Sequence, residues 1–127
     1  MEKLKSRKRI EELFARGKTI NVFPIRISYQ FLNLLPDEKT SIEVGVSVSK
    51  RNFKKAVDRN RIKRLLREAY RLQKKELIES LKSQQRKGYV FFIYADRQMP
   101  EYQIVFDTMT KCLDALKRKA IVNENPS

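Results

Sequence analysis

The stretch SIEVGVSVSKRNFKKAVDRNRIKRLLREAYRLQKK, residues 41–75, joins the clearest strand pattern in the chain to its most basic segment. Residues 41–50 alternate between β-branched and small or polar side chains, which predicts a strand. Beyond the short connection RNFKK, apolar residues recur at helical spacing, with one weak turn near Gln73. We therefore predict one long amphipathic helix from Asp58, a candidate N-cap, to about Lys82.

The N-terminal part of the chain predicts a short helix followed by a strand region. SRKRIEELFARGK, residues 6–18, suits a helix that Ser6 caps and Gly17 ends. Residues 20–33 alternate as a strand, in which Pro24 must occupy a start, a bulge or an edge. This region can therefore form one strand or two.

The C-terminal part predicts a strand and a final helix. YVFFIYA, residues 89–95, lacks polar alternation, so we predict a strand buried on both faces. Residues 100–121 carry an apolar stripe at helical spacing. The resulting order, α-β-β-α-β-α, describes an α+β sandwich of helices on a small mixed sheet. We expect a single domain over residues 1–127, with flexible tails at residues 1–5 and 120–127.

The positive charge is concentrated in one segment. The chain has 29 basic and 15 acidic residues, a net charge of +14. Residues 50–75 hold 12 basic and 2 acidic residues, whereas the chain beyond them is close to neutral. A polyanion that releases counterions on contact is the usual partner of such a segment, and an anionic membrane is the alternative.

The composition excludes several kinds of chemistry. The chain has no histidine and one cysteine, Cys112, so it lacks the commonest acid–base group and cannot form an internal disulfide. No apolar run reaches the ~20 residues of a membrane span, and the first residues lack a signal-peptide core. We therefore expect a cytoplasmic protein with no catalytic residue, no metal site and no organic cofactor of its own.

The predicted basic helix presents its cations as a face of nearly one sign. They form an i, i+4 series with a second row beside it, and only Glu68 interrupts them. The series is Arg59, Lys63, Arg67 and Arg71, and the second row adds Asn60 and Arg64. A solvated helix face would mix both signs, so we interpret this face as a polyanion site. Arginine, with its planar fork of donors, fits phosphate oxygens especially well.

The surroundings of this helix favour RNA over DNA. No short partner helix precedes it and no zipper follows, as a DNA recognition helix would require. Strand faces with aromatic side chains and flanking cations are typical of sites for single-stranded RNA. The candidate aromatics are Phe14, Phe23, Tyr29 and Phe31, whereas we assign Phe91, Phe92 and Phe106 to the core.

Residues 44–71, VGVSVSKRNFKKAVDRNRIKRLLREAYR, closely resemble the signature of the bacterial ribonuclease P protein subunit. The match includes the RNR-x-KR-x-x-R-E core, the small-residue strand before it and the opening helix LKSRKRIEELFARGKT with its glycine. It covers roughly residues 4–118. The resemblance implies a fold like that of ribosomal protein S5 domain 2, a two-layer sandwich with a left-handed βαβ crossover through the basic helix.

The resemblance also implies a function. The partner would be the catalytic RNA of ribonuclease P, one RNA per protein, and the reaction would be endonucleolytic removal of the 5′ leader from precursor tRNA. In that family the RNA and its Mg²⁺ ions carry out the chemistry. The protein binds the catalytic RNA through the basic helix, and it holds the leader in a cleft formed by the first helix, the sheet and the basic helix.

The resemblance and the residue pattern together give two sets of candidate residues. The RNA-binding set is Lys50, Arg51, Arg59, Asn60, Arg61, Lys63, Arg64, Arg67 and Arg71. The set for the leader-binding cleft is Ile10, Phe14, Tyr29, Ser47 and Ser49. Ile10 stands where the family often has a second phenylalanine, so we expect apolar contact there. If about eight cations meet phosphates, log affinity against log salt concentration has a slope of roughly −6 to −7.

Two other classes of protein remain open. A structural RNA-binding protein of ribosomal type would bind ribosomal RNA and would not restore the processing of precursor tRNA. A metal-dependent nuclease acting alone would need clustered carboxylates, and the candidates are scattered along the chain at Asp37, Glu38, Asp96 and Asp107.

Overall fold

The computed structural model describes residues 2–121. Within them lie, in chain order, β1 (Glu2–Lys3), α1 (Arg7–Arg16), β2 (Lys18–Val22), β3 (Ile25–Asn33), β4 (Ile42–Val48), α2 (Ala56–Gln73), α3 (Lys75–Ser83), β5 (Arg86–Tyr94) and α4 (Tyr102–Ala120). The strands form one mixed sheet in the spatial order β1-β4-β5-β3-β2. β4 is parallel to β1 and β5, whereas β3 is antiparallel to β5 and β2. The predicted α+β class is confirmed.

The connection from β4 to β5 is the predicted crossover through the basic helix. The two strands are parallel neighbours, and α2 and α3 lie between them in the chain. Their pairing runs from Ile42 beside Gly88 to Val48 beside Tyr94. The basic segment that follows β4 therefore begins at the same end of the sheet as Tyr94. The left hand of the crossover stays a prediction.

One face of the sheet forms the main core. Alternate residues of the central strands point into it, and the strand registers align Ile27, Phe92 and Val46 across three strands. The helices α2, α3 and α4 cover this face with fully buried side chains such as Ile62 and Met109. Burial of each such side chain contributes about 1.5–3 kcal/mol, so this layer supplies most of the stability.

The predicted long helix is in fact two helices, and the break lies where the pattern weakens. α2 ends at Gln73 and α3 begins at Lys75, while Lys74 between them keeps a right-handed helical conformation. The Gln73 amide donates a hydrogen bond to the carbonyl oxygen of Phe106 in α4 at 3.1 Å. The break between the two helices therefore coincides with a polar side chain that is hydrogen-bonded to α4.

The opposite face of the sheet is packed by α1. Leu13 of α1 is fully buried in a small cluster with Leu4 and Tyr89, and Ile10 and Phe91 pack around it. α1 has ten residues, so it covers only part of the five-stranded sheet. The other described residues leave the rest of this face uncovered.

α1 begins and ends as predicted. The hydroxyl of Ser6 accepts a hydrogen bond from the backbone N–H of Arg9 at 3.2 Å. At the other end, the N–H of Gly17 donates to the carbonyl oxygen of Leu13 at 2.7 Å. A Cβ atom on Gly17 would lie 2.3 Å from that oxygen and 2.9 Å from the carbonyl oxygen of Tyr29. Glycine therefore lets the end of α1 pass close to β3.

The prediction of a flexible tail over residues 1–5 is wrong for the residues that the structure describes. Glu2–Lys3 forms β1 beside β4, and Leu4 is only 6% exposed. The backbone N–H of Leu4 donates to the carbonyl oxygen of Val44 at 3.0 Å. At the other end, Ala120 is the buried last residue of α4, and residues 122–127 of the predicted tail lie outside the described part.

Candidate nucleic-acid interface

The connection between β4 and α2 holds two of the predicted cations on an ordered turn. The hydroxyl of Ser49 accepts a hydrogen bond from the backbone N–H of Arg51 at 3.1 Å, and its carbonyl oxygen accepts one from Phe53. Phe53 is buried, with its ring centroid 6.1 Å from that of Tyr94. Lys50 and Arg51 are exposed on this turn. Their charges are therefore presented at a fixed end of the sheet.

Arg59, in the first turns of α2, is hydrogen-bonded to the same connection. One terminal nitrogen of its guanidinium donates to the carbonyl oxygens of Phe53 and Lys54, at 2.7 and 2.9 Å. These bonds use neutral acceptors, so they fix the side chain without cancelling its charge. Arg59 thus has a structural role that the sequence pattern does not reveal.

Arg71 is paired with an acidic neighbour. Glu68 accepts two hydrogen bonds from its guanidinium, which lower the pKa of the Glu68 carboxyl below its ordinary value. Both side chains are exposed to about half their extent. Arg71 is consequently the least available cation of the predicted set.

The other predicted residues of α2 are available to a partner. Among the described residues, none of these side chains makes an ion pair or a side-chain hydrogen bond: Asn60, Arg61, Lys63, Arg64 and Arg67. The buried side of α2 carries Ile62, Leu66, Ala69 and Tyr70. With 100° between successive residues, Asn60 and Arg64 point away from that side.

Two details of the start of this helix differ from the prediction. α2 begins at Ala56 rather than at Asp58, and its N-cap position, Lys55, makes no side-chain capping bond. The backbone N–H groups of Asp58 and Arg59 both donate to the carbonyl oxygen of Lys55 at 3.2 Å. The RNR segment therefore lies past the first free N–H groups, and its side chains, rather than its backbone, are what it offers to an anion.

The open face of the sheet carries a pair of aromatic rings. Phe14 of α1 is 50% exposed, and its ring meets that of Phe91 in β5 edge to face, with centroids 5.3 Å apart. In the strand register, Phe91 lies between Gly45 and Ser28. A Cβ atom on Gly45 would lie 2.5 Å from the Phe91 ring. Glycine therefore makes room for this ring on the sheet surface.

The sequence pattern assigns Phe91 to the core, and the structure differs. The pattern predicts a strand buried on both faces, but Phe91 and Ile93 are only partly buried, whereas Val90 and Phe92 are completely buried. The sequence does contain a signal for the position of Phe91, namely the small residues on one face of β4. A neighbouring strand has room for an aromatic ring next to Gly45 on that face.

Tyr29 is the one predicted cleft residue that the structure excludes. It is 4% exposed and belongs to the main core, on the face that α2–α4 cover. Burial raises the pKa of its hydroxyl. Its neighbour Ser28 lies on the opposite face of the sheet, beside Phe91, and is itself only 6% exposed. The alternation of β3 contains both residues, and only the register with β5 decides which one faces the cleft.

The remaining predicted cleft residues lie on or beside the open face. Ile10 of α1 is half-buried and packs against the cluster around Leu13. Its apolar contact with a leader stays a prediction. Ser47 lies on β4 beside Ile93 of β5 and is half-buried. Ser49 lies two residues further, in the basic turn.

The basic helix and α1 lie on opposite faces of the sheet. α2 packs on the main core, whereas α1 packs on the cluster that contains Tyr89. The predicted cleft is therefore walled by α1 and the sheet, not by α2. Its basic border is the turn at the end of β4, where Ser47 on the open face precedes Lys50 and Arg51.

The acidic side chains and the cysteine of the described residues are not gathered into one cluster. No group of three or more acidic or cysteine side chains within residues 2–121 could hold a metal ion. The carboxylate of Glu38 is occupied, since it accepts hydrogen bonds from Leu35 and Lys87, which lower its pKa. Burial raises the pKa of the Cys112 thiol to about 12, so it is not a nucleophile near neutral pH.

An unneutralised cationic helix, an ordered basic turn and an aromatic strand face on a mixed sheet are typical of an α+β protein that binds nucleic acid. The comparisons with known proteins agree. The family model described as Ribonuclease P matches residues 1–120. The chain belongs to the ribonuclease P protein family.

Relatives of the chain carry the name "Ribonuclease P protein component". One from Porphyromonas gingivalis is 37% identical over 113 residues, which cover 88% of this chain and 80% of the relative. One from Borrelia turicatae is 34% identical over 118 residues, which cover 91% and 93%. This family is the protein part of an endoribonuclease complex, so the chain is a component of such an enzyme.

Solved structures support the fold. The RNase P protein from Thermotoga maritima has a TM-score of 0.68 and 21% identity, with 97% of this chain and all of that chain covered. The RNase P protein of Staphylococcus aureus has a TM-score of 0.66 and 17% identity, with coverage of 91% and 94%.

Among the described residues, no helix has the length and apolar character that crossing a membrane requires.

Proposed function

We propose that this protein binds the catalytic RNA of ribonuclease P and the single-stranded 5′ leader of precursor tRNA, and so assists removal of the leader. The basic turn and α2 would contact the catalytic RNA. The face of the sheet beside α1 would hold the leader. The RNA would carry the chemistry, with one RNA per protein, in the cytoplasm.

One observation supports this proposal most. In this member of the family, unpaired cations lie on α2, whereas exposed aromatic rings lie on the opposite face of the sheet. Arg61, Arg64 and Arg67 have no intramolecular partner within residues 2–121, so their mutual repulsion favours an anionic ligand. On the other face, Phe14 and Phe91 offer ring surface on which a base can stack. A single strand of RNA supplies both phosphates and unpaired bases.

The protein would contribute positioning rather than bond cleavage. Contacts to the leader are remote from the scissile bond, and binding energy gained there can orient the substrate. Mg²⁺ would be held mainly by the RNA, since the described residues form no carboxylate cluster for it. An ordinary leader-bearing substrate would therefore bind more tightly than mature tRNA, which lacks the leader.

The direct test is whether the protein restores cleavage of precursor tRNA to a bare bacterial ribonuclease P RNA at low Mg²⁺ concentration. We expect restoration with the wild-type protein. Arg64→Ala should weaken binding of the catalytic RNA, whereas Phe14→Ala should mainly weaken binding of leader-bearing substrate. Mature tRNA is the control ligand for Phe14→Ala, because it offers no leader to the cleft.

The salt dependence gives a second measure. Within residues 2–121, six cations of the predicted set lack both an acidic partner and hydrogen bonds to the turn like those of Arg59: Lys50, Arg51, Arg61, Lys63, Arg64 and Arg67. Six phosphate contacts give a slope of log affinity against log salt of roughly −4 to −5. Tight binding of ribosomal RNA without any restored cleavage would favour the ribosomal type of protein instead.

A further inference from the structure

A second cationic surface lies at the other end of the sheet, where α1 leads into β2. β2 has five residues and β3 has nine, and their pairing ends at Lys18 beside Tyr29. The last residues of β3 therefore have no β2 neighbour and border a cavity of about 230 Å³. Four residues lining this cavity are cationic and none is acidic: Arg16, Lys18, Arg86 and Lys119. We call this cavity with its four cations the β3 notch.

Arg86 is a fixed charge in the wall of the β3 notch. Its guanidinium donates to the carbonyl oxygens of Ala120 and Phe31, both at 3.1 Å, and lies 5.7 Å from the centre of the Phe31 ring. These acceptors are neutral, so the hydrogen bonds orient the charge without cancelling it. The same charge lowers the pKa of Tyr29, against the larger effect of burial.

The other three cations of the β3 notch are exposed. Within residues 2–121, no ion pair or side-chain hydrogen bond involves the side chains of Arg16, Lys18 or Lys119. Four like charges around one cavity repel each other, and a bound anion would offset that repulsion. The cavity is smaller than the ~300–1,000 Å³ of pockets for drug-sized ligands, so it suits a single anionic group.

A structural explanation accounts for only part of this cluster. Arg16 lies in the last turn of α1 and Lys119 in the last turn of α4, where cations interact favourably with the helix dipole. Lys18 and Arg86 lie on strands, so the dipole does not explain them. The hydrogen bonds of Arg86 to two backbone carbonyl oxygens give it a structural role, so Lys18 is the cation that neither structural role explains. A helix-end role predicts that loss of these cations leaves RNA affinity unchanged, whereas an anion site predicts weaker binding of RNA.

We infer that the β3 notch binds a phosphate group of RNA. This inference rests on the proposed function, because RNA is the partner proposed there. The notch adjoins the cleft, since its lining residue Leu32 packs in the same cluster as Phe91, and Arg16 follows Phe14 by two residues. It lies at the start of β5, and the nine residues of that strand span roughly 30 Å to the end where the basic turn lies.

The phosphate can come from two sources with the same chemistry. One is the leader of precursor tRNA, continuing past Phe14 and Phe91. The other is the backbone of the catalytic RNA. In both cases, guanidinium and ammonium donors meet phosphate oxygens, and each contact contributes to the salt dependence of binding.

The test uses a notch variant and a charge-matched control. The notch variant is Arg16→Gln/Lys18→Gln/Lys119→Gln, and Arg86 is kept because its hydrogen bonds hold β3 and α4 together. The control is Lys82→Gln/Arg97→Gln/Lys111→Gln. It removes the same charge from exposed residues outside the notch. Both variants therefore change the net charge equally.

Three RNA probes distinguish the sources of the phosphate. The first is a bacterial ribonuclease P RNA alone. The second and third are this RNA together with precursor tRNA, whose leader has about ten nucleotides in one and about two in the other. The affinity of each protein is measured over a salt series. We expect the notch variant to bind about fivefold more weakly, with a slope reduced by about 0.7 for each phosphate that the variant no longer binds. Weaker binding limited to the long leader assigns the phosphate to the leader, and weaker binding of the RNA alone assigns it to the catalytic RNA.

Equal affinities and slopes of the two variants for all probes would overturn the inference. A lower melting temperature of the notch variant with unchanged affinity would also overturn it, since only the helix-end role would then remain. If the triple variant does not fold, Lys18→Gln on the exposed edge strand carries the same test with one cation. If the wild-type protein binds none of the probes, the proposed function is overturned as well. A result limited to the variants bears only on the β3 notch.

Discussion

Phe91 and Phe92 are adjacent in β5, yet they lie in two different environments. Phe92 is completely buried under the layer of α2, α3 and α4, with its ring centroid 5.8 Å from that of Tyr70. Phe91 is partly exposed and touches Phe14 of α1. Three helices cover one face of the sheet and one short helix covers part of the other. The same residue type therefore supports stability on one face and can serve binding on the opposite face.

The largest effect should come from the covered face. Phe92→Ala would leave a cavity in the main core, and we expect the free energy of unfolding to fall by about 3–5 kcal/mol. Chemical denaturation measured by circular dichroism gives this value. The matched variant is Phe91→Ala, one residue away, which should cost no more than about 1 kcal/mol because its ring already contacts solvent. Equal destabilisation by the two variants would contradict the assignment of separate faces.

The next effect sharpens the role of the open face. Phe91→Ala should weaken binding of leader-bearing precursor tRNA by about 1–3 kcal/mol, since it removes one stacking surface. Binding of mature tRNA by the holoenzyme should not change. Fluorescence anisotropy with both tRNAs measures the difference. Gly45→Ala is a useful companion, because its added Cβ displaces the Phe91 ring without removing it.

Much of this architecture is predictable from the sequence because the signals are local. The alternation of β4, the cap at Ser6 and the glycine at position 17 each act within a few residues, and the structure has them at the predicted positions. The cationic face of α2 follows from helical periodicity alone. These features need no knowledge of what packs against them.

The features that sequence reasoning misses depend on partners distant in the chain. The register of β3 against β5 decides whether Tyr29 or Ser28 lies on the face that α1 packs on. Phe91 has space for its ring because Gly45, on a neighbouring strand, has no side chain. The bracing role of Arg59 depends on the position of two carbonyl oxygens. The N-terminal strand could not be foreseen either, since two residues carry too little pattern to predict pairing with β4.

A second comparison concerns two arginines of α2. Arg64 is exposed and unpaired within residues 2–121, whereas Arg59 donates to the carbonyl oxygens of Phe53 and Lys54. Arg64→Ala should reduce the affinity for the catalytic RNA and flatten the salt slope by about 1, with unchanged stability. Arg59→Ala should lower the free energy of unfolding by about 1–2 kcal/mol, because it removes two charge-assisted hydrogen bonds. Unchanged stability of Arg59→Ala would show that its bonds to the turn are dispensable.

The smallest effect concerns the acidic residue that interrupts the cationic face. Hydrogen bonds from Arg71 lower the pKa of Glu68, so this pair adds stability above the pKa of the unfolded chain and loses it as the pH falls through the lower pKa of the folded state. Glu68→Gln should therefore lower the melting temperature slightly at pH 7, and this difference should vanish at strongly acidic pH. The variant also releases Arg71 and removes a negative charge beside phosphate, so affinity for the catalytic RNA should rise slightly at low salt. Lower affinity instead would mean that Glu68 holds Arg71 in the orientation that RNA requires, and a double variant with Arg71→Ala would then bind no more weakly than Glu68→Gln.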